Sequence, residues 1–153
     1  MHINHKDNIN KIHNVSLDSE VIKYREPNGE VVVTYCHWDG YPTYNGQMLN
    51  DHYNNHKKAE QIANQGYLSG LKETIALSIE DRVHQDPPFV YKSIDSFLGD
   101  ISFDIEYAYI FTRGQWYCNE YNLCTYEKKK FNSSQFEPLW SVLIKHNKSQ
   151  ESA

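Results

Sequence analysis

The chain has 153 residues, 39% of them apolar and 23% charged, a composition that suits one globular domain able to bury a core without metal or disulfide staples. No apolar run approaches the roughly 20 residues that cross a bilayer, and the first residues hold no signal-peptide core, which excludes membrane spanning and secretion by that route. The formal net charge of −5 and a pI near 5.9 argue against binding nucleic acid by bulk electrostatics.

Residues 1–14 are polar, contain His2, His5 and His13, and show no periodicity. They read as a loose leader to a single domain over 15–146, with 147–153 as a flexible tail. The first regular unit is a hairpin. Val21-Ile22-Lys23-Tyr24 is one arm, Val31 to Cys36 the other, and Pro27-Asn28-Gly29-Glu30 carries an Asn-Gly turn signal. The β-branched second arm predicts a strand buried on much of both faces. It runs into His37-Trp38-Asp39-Gly40-Tyr41-Pro42, a Gly/Pro loop at a strand end.

A helix is expected from about Gly46 to Asn54, with Met48, Leu49, His52 and Tyr53 on one face. A second runs from about Lys57 to Gln65, with Ala59, Ile62 and Ala63 inward and Gly66 ending it. Ile75, Leu77 and Ile79 alternate, which favours a strand over 72–79, although a helix also fits. Asp86-Pro87-Pro88 breaks the chain, and Ser93 resembles an N-cap for a helix carrying Ile94, Phe97 and Leu98. Glu106 to Phe111 and Gln115 to Cys118 form a second hairpin about Arg113-Gly114. The Lys128-Lys129-Lys130 run reads as a solvated face. In the last helix Phe136, Leu139, Trp140, Leu143 and Ile144 make the apolar stripe, with Ser134 and Glu137 as a capping box. Two hairpins interleaved with helices predict an α+β fold, an antiparallel sheet with the helices packed on one face.

The three cysteines, Cys36, Cys118 and Cys124, are an odd count that fits free thiols in a reducing cytoplasm. Cys36 and His37 are adjacent on an extended segment and point to opposite faces, so they do not pair as nucleophile and base. Buried small hydrophobes are the better reading of Cys36 and Cys118. No phosphate-cradling loop, nucleophile elbow or dinucleotide fingerprint is present.

Two constellations carry chemistry. His37, Asp39, His52 and His56 supply imidazoles and a carboxylate, a donor set that suits Zn or Fe in a metal-dependent hydrolase or nuclease. Against it, Asn54-Asn55 interrupts the register between the last two histidines. The second is aromatic. The chain has 12 Tyr, 3 Trp and 6 Phe, and Trp38, Tyr41 and Tyr44 fall with Asp39 in one polar loop. Tyr and Trp anchor protein–protein contacts because they give large area at low entropy cost. The alternative is a loop packed onto the sheet with Trp38 as a core plug and Asp39 bonding turn amides.

The segment Tyr35-Cys36-His37-Trp38-Asp39-Gly40-Tyr41-Pro42 resembles a Tyr-x-His-Trp-Asp-Gly-Tyr loop found in a group of small uncharacterised phage and prophage proteins. Leu49-Asn50-Asp51-His52-Tyr53 and Gly66-Tyr67-Leu68-Ser69-Gly70-Leu71 are similar to the helix and Leu-Ser segments that follow it in that group. The resemblance is close over about 31–71 and looser over 105–118, and it implies no catalytic residue. It implies a small phage-encoded protein in the host cytoplasm that binds and inhibits a host defence protein, as anti-CRISPR and other anti-defence inhibitors do. On this reading Trp38, Asp39, Tyr41 and Tyr44 meet the partner and no cofactor is needed. A third reading, a protein that sequesters a nucleotide signal by aromatic stacking, stays open beside the metal enzyme.

Overall fold

The computed structural model describes residues 20–25, 29–83, 85–96, 106–120 and 136–152. The leader 1–14, Phe97 and Leu98, Cys124, the lysine run at 128–130 and the capping residue Ser134 lie outside them. The fold is α+β. Strand β1 (Glu20–Arg25) pairs antiparallel with β2 (Val31–Cys36), Glu20 against Cys36 and Arg25 against Val31. Gly29, from the Asn-Gly signal, has φ +91°, which glycine adopts without steric cost.

One edge of β2 meets β1. The other is shared between two short strands. Val31–Val33 pair antiparallel with β4 (Phe89–Tyr91), and Tyr35 and Cys36 pair parallel with β3 (Tyr67–Leu68). All six residues of β2 are buried, as its β-branched run predicts. The second hairpin is β5 (Tyr107–Thr112) with β6 (Gln115–Glu120). Arg113 and Gly114 both take positive φ, +54° and +79°, the backbone of a tight two-residue hairpin turn. Phe111 and Trp116 oppose each other across it, with ring centroids 5.3 Å apart. Parallel pairing of β1 with β5 joins the two hairpins into one sheet, and β7 (Glu137–Pro138) extends it beyond β6. The sheet is therefore mixed rather than purely antiparallel. The long helical excursion between the hairpins lets the chain return in the direction of β1.

A π-helical turn, Pro42–Gly46, leads into α1 (Gln47–His52). Helix α2 (His56–Ala63) is capped by Asn55, whose Oδ1 accepts the Lys58 N–H at 2.9 Å. It buries Ala59, Ile62 and Ala63, as its spacing predicts. Thr34 Oγ1 donates to the Ala63 carbonyl at 2.6 Å and accepts the Gly66 N–H at 2.9 Å, tying the end of α2 to the centre of the sheet. Gly66 has φ +81°, and a Cβ there would stand 1.8 Å from the Asp86 carbonyl oxygen. No other residue fits that crossing of two backbone segments.

Two expectations need correction. Residues 75–80 form helix α3 (Ile75–Glu80), not a strand. Thr74 Oγ1 caps it through the Leu77 N–H, Ser78 is buried, Ile75 and Ile79 pack against the core, and Leu77 is exposed. In α4 (Leu139–Ser152) the buried residues are Leu139, Val142 and Leu143, while Trp140 and Ile144 face solvent. Glu137 and Pro138 pair with β6 before the helix begins, and this approach rotates the inward stripe away from Trp140. The same helix runs to Ser152. Ser93 does cap a turn, since its Oγ accepts the Ser96 N–H at 3.1 Å.

The main core lies between the sheet and the helices. Tyr109, Phe111, Trp116 and Cys118 meet Leu49 and Tyr53 of the α1 region, Ile62 of α2 and Leu139 of α4. Cys36 and Cys118 are buried in this core. The opposite sheet face is not open either, because Val31, Val33 and Ile110 are also buried.

Candidate functional site

The loop that leaves β2 carries Trp38, Asp39, Tyr41 and Tyr44, and its backbone is held from three sides. The His37 N–H donates to the Leu68 carbonyl and the Trp38 N–H to the Ser69 carbonyl, both at 3.0 Å, which prolongs the β2–β3 pairing past the strand end. Inside the loop, buried Asn45 donates from Nδ2 to the Trp38 carbonyl at 2.9 Å and from its backbone to the Asp39 carbonyl at 3.2 Å. Asp39 takes φ +62°, a left-handed conformation that Asp and Asn tolerate better than most residues. From beneath, the buried Tyr109 hydroxyl donates to the Gly40 carbonyl at 2.6 Å. Gly40 thus hangs on a side chain rooted in the second hairpin.

This rigid backbone turns its aromatic side chains outward. Trp38 is 50% exposed, Tyr44 39% and Tyr41 36%, so Trp38 is not a core plug. The Tyr41 and Tyr44 rings lie 6.3 Å apart, and the Trp38 ring meets the His37 ring edge-on at 4.4 Å. His37 Nδ1 is 2.8 Å from the Tyr35 hydroxyl, and burial pushes the His37 pKa below the ordinary imidazole value. A neutral ring supports Trp38 without adding a charge beside it.

A groove of about 370 Å³ opens beside the loop. Its lining comes from three segments: Trp38, Asp39 and Tyr44 of the loop, Ser69 to Lys72, and Asp81 and Val83 at the end of α3. Ser69 ties the other two segments together. The Ser69 carbonyl holds the Trp38 N–H, and Ser69 Oγ accepts the Val83 N–H at 3.3 Å. Lys72 is fixed through its backbone, whose N–H donates to Ser78 Oγ at 2.8 Å and whose carbonyl accepts the Tyr53 hydroxyl at 2.6 Å. Val83 is 75% exposed and adds an aliphatic surface to the lining.

The proposed ligand set His37, Asp39, His52 and His56 is not assembled in the same way. His52 ends α1 and His56 begins α2, so the two do not share a helix face. The His56 ring packs edge-on against Phe111 at 5.1 Å. Among the described residues no group of three or more His, Cys, Asp or Glu is placed to hold a metal ion.

Reading the sequence found the loop residues but missed Ser69, Lys72, Asp81 and Val83. Ser69 lies in a segment that already carried the resemblance. Asp81 and Val83 had no signal, because their place depends on α3 being a helix. Among the described residues no helix is long and apolar enough to cross a membrane. No family model, curated protein or solved structure matches the chain.

Proposed function

We propose that this protein works by binding another protein through the Trp38–Tyr44 loop and the groove beside it. One observation carries the reading: three exposed aromatic side chains stand on a backbone fixed by buried hydrogen bonds. Aromatic side chains in water are costly to expose together, and holding them rigid removes most of the ordering cost of association. A loop that served only to connect β2 to α1 would not need Tyr109 and Asn45 as internal struts. Interfaces of this type draw most of their energy from a few Trp and Tyr anchors.

The narrower role rests on the resemblance of the Tyr35–Pro42 segment to phage and prophage proteins. In that role the partner is a component of a host defence system, and the protein inhibits it stoichiometrically in the host cytoplasm. Two of the segments that carry the resemblance, 35–42 and 66–71, are joined by the Trp38–Ser69 hydrogen bond at the groove.

The test compares tagged wild-type protein with Trp38→Ala and Tyr44→Ala variants in capture from host lysate, with folding checked by circular dichroism. A stoichiometric partner held by the wild type and reduced at least about tenfold by either folded variant supports the reading. A partner held equally by all three proteins, or none held by the wild type, overturns it.

A further inference from the structure

We propose that the groove between the Trp38 loop and the end of α3 receives an arginine side chain of the partner protein. This rests on the protein-binding reading above and specifies its partner.

Chemical complementarity selects this guest. The groove is lined by the aromatic rings of Trp38 and Tyr44 and by two carboxylate residues, Asp39 from the loop and Asp81 from the end of α3. Lys72 offsets one of them, so the lining keeps a net negative charge, as does the whole chain at −5. A purely apolar anchor would leave the two carboxylates facing it without a partner, which costs free energy on desolvation. An anion would meet the same carboxylates as repulsion. A guanidinium satisfies both kinds of lining group, because its planar face stacks on Trp or Tyr while its edge donates two parallel hydrogen bonds to a carboxylate. A lysine ammonium can make a cation–π contact but presents no flat face and no fork.

The groove is also prepared for such a guest. Trp38 is positioned by its backbone bond to Ser69 and by the edge contact with His37. The segment at the end of α3 is tied to the same Ser69 through the Val83 N–H. Binding therefore need not order either segment, which is the main cost that weak recognition of one side chain cannot meet.

The test uses the full chain labelled with ¹⁵N and follows the Trp38 indole N–H, assigned by its loss in Trp38→Phe. The probes are a blocked Gly-Arg-Gly tripeptide, the same peptide with citrulline for arginine, and putrescine. The arginine peptide is expected to shift the Trp38 signal saturably at millimolar concentration. The citrulline peptide, which keeps the shape and loses the charge, should bind at least about tenfold more weakly. So should the arginine peptide to the double variant Asp39→Asn, Asp81→Asn, since asparagine also tolerates the left-handed backbone of the loop. No shift with arginine, an equal shift with citrulline, or unchanged binding to the double variant overturns the proposal. Putrescine binding as tightly as the arginine peptide overturns the assignment to a protein side chain. The lysate capture separates the two levels. If Trp38→Ala loses a partner that the double variant keeps, the protein-binding reading stands and the arginine site falls. If arginine binds but no captured protein depends on Trp38, the protein source is overturned.

Discussion

Trp116 and Trp38 are the same side chain in two opposite settings. Trp116 lies on β6, is 2% exposed, packs against Phe111, and donates its indole N–H to the Tyr53 carbonyl at 3.0 Å. Trp38 lies just past the end of β2, is half exposed, and owes its position to bonds made by its backbone. In the first region the backbone serves the side chains, which interlock to form the core. In the second, buried groups from elsewhere in the fold serve the backbone, and the side chain is left over. That asymmetry is the best physical reason for assigning binding to the loop and stability to the hairpin.

The sharpest way to break the comparison is to truncate each tryptophan. Trp116→Ala should cost about 3–5 kcal/mol, because it opens a cavity and leaves the buried Tyr53 carbonyl without its donor. Trp38→Ala should change stability by no more than about 0.5 kcal/mol, as exposed side chains do. Urea unfolding of the two variants checks both. Equal losses would mean that Trp38 belongs to the core and that the interface has been misplaced.

Gly66 supports the loop region, since it lies between α2 and the β3 segment that holds the loop. Gly66→Ala puts a Cβ against the Asp86 carbonyl at a positive φ and should cost about 2–4 kcal/mol. Amide exchange at Trp38, whose N–H bonds to Ser69, should quicken in the same variant. A loss of stability with Trp38 exchange unchanged would show that the loop does not depend on β3.

Tyr109→Phe keeps the ring in the core and removes only the hydroxyl that holds Gly40. It should cost about 1 kcal/mol and loosen the loop, so partner binding should fall while the hairpin stays intact. The smallest effect concerns His37. Burial lowers its pKa from 6.5, so the unfolded chain binds the proton more readily than the folded one. Its contribution is present above about pH 6.5 and is lost as pH falls through the folded value. The melting temperature of the wild type should therefore drop more between about pH 7 and about pH 5 than that of His37→Gln. Parallel curves would show that His37 is not felt by the fold.

Much of this was written locally in the chain. The Asn28-Gly29 and Arg113-Gly114 signals marked both hairpins, the β-branched run of 31–33 marked a strand covered on both faces, and Ala59, Ile62 and Ala63 marked the inward stripe of α2. Each depends on turn chemistry or periodicity within about ten residues. The loop with Trp38, Asp39, Tyr41 and Tyr44 was visible in the same way, as aromatic residues among Gly and Pro at a strand end.

Not every local signal was unambiguous, and some choices were made at a distance. Ile75, Leu77 and Ile79 alternate like a strand, yet the nearby Thr74 cap and the bonds of Ser78 to Lys72 and Thr74 make that segment a helix. Trp140 and Ile144 fit an apolar stripe, yet pairing of Glu137 and Pro138 with β6 sets the rotation of α4 and leaves both outside. The same holds for the site. The sequence determined which residues enter the loop, because a strand end followed by Gly and Pro must turn there. Only the tertiary structure decided that Trp38 faces solvent and that Asp81 and Val83 line the same groove. Those facts rest on hydrogen bonds to Ser69 and from Asn45 and Tyr109, and no spacing along the chain records such partners.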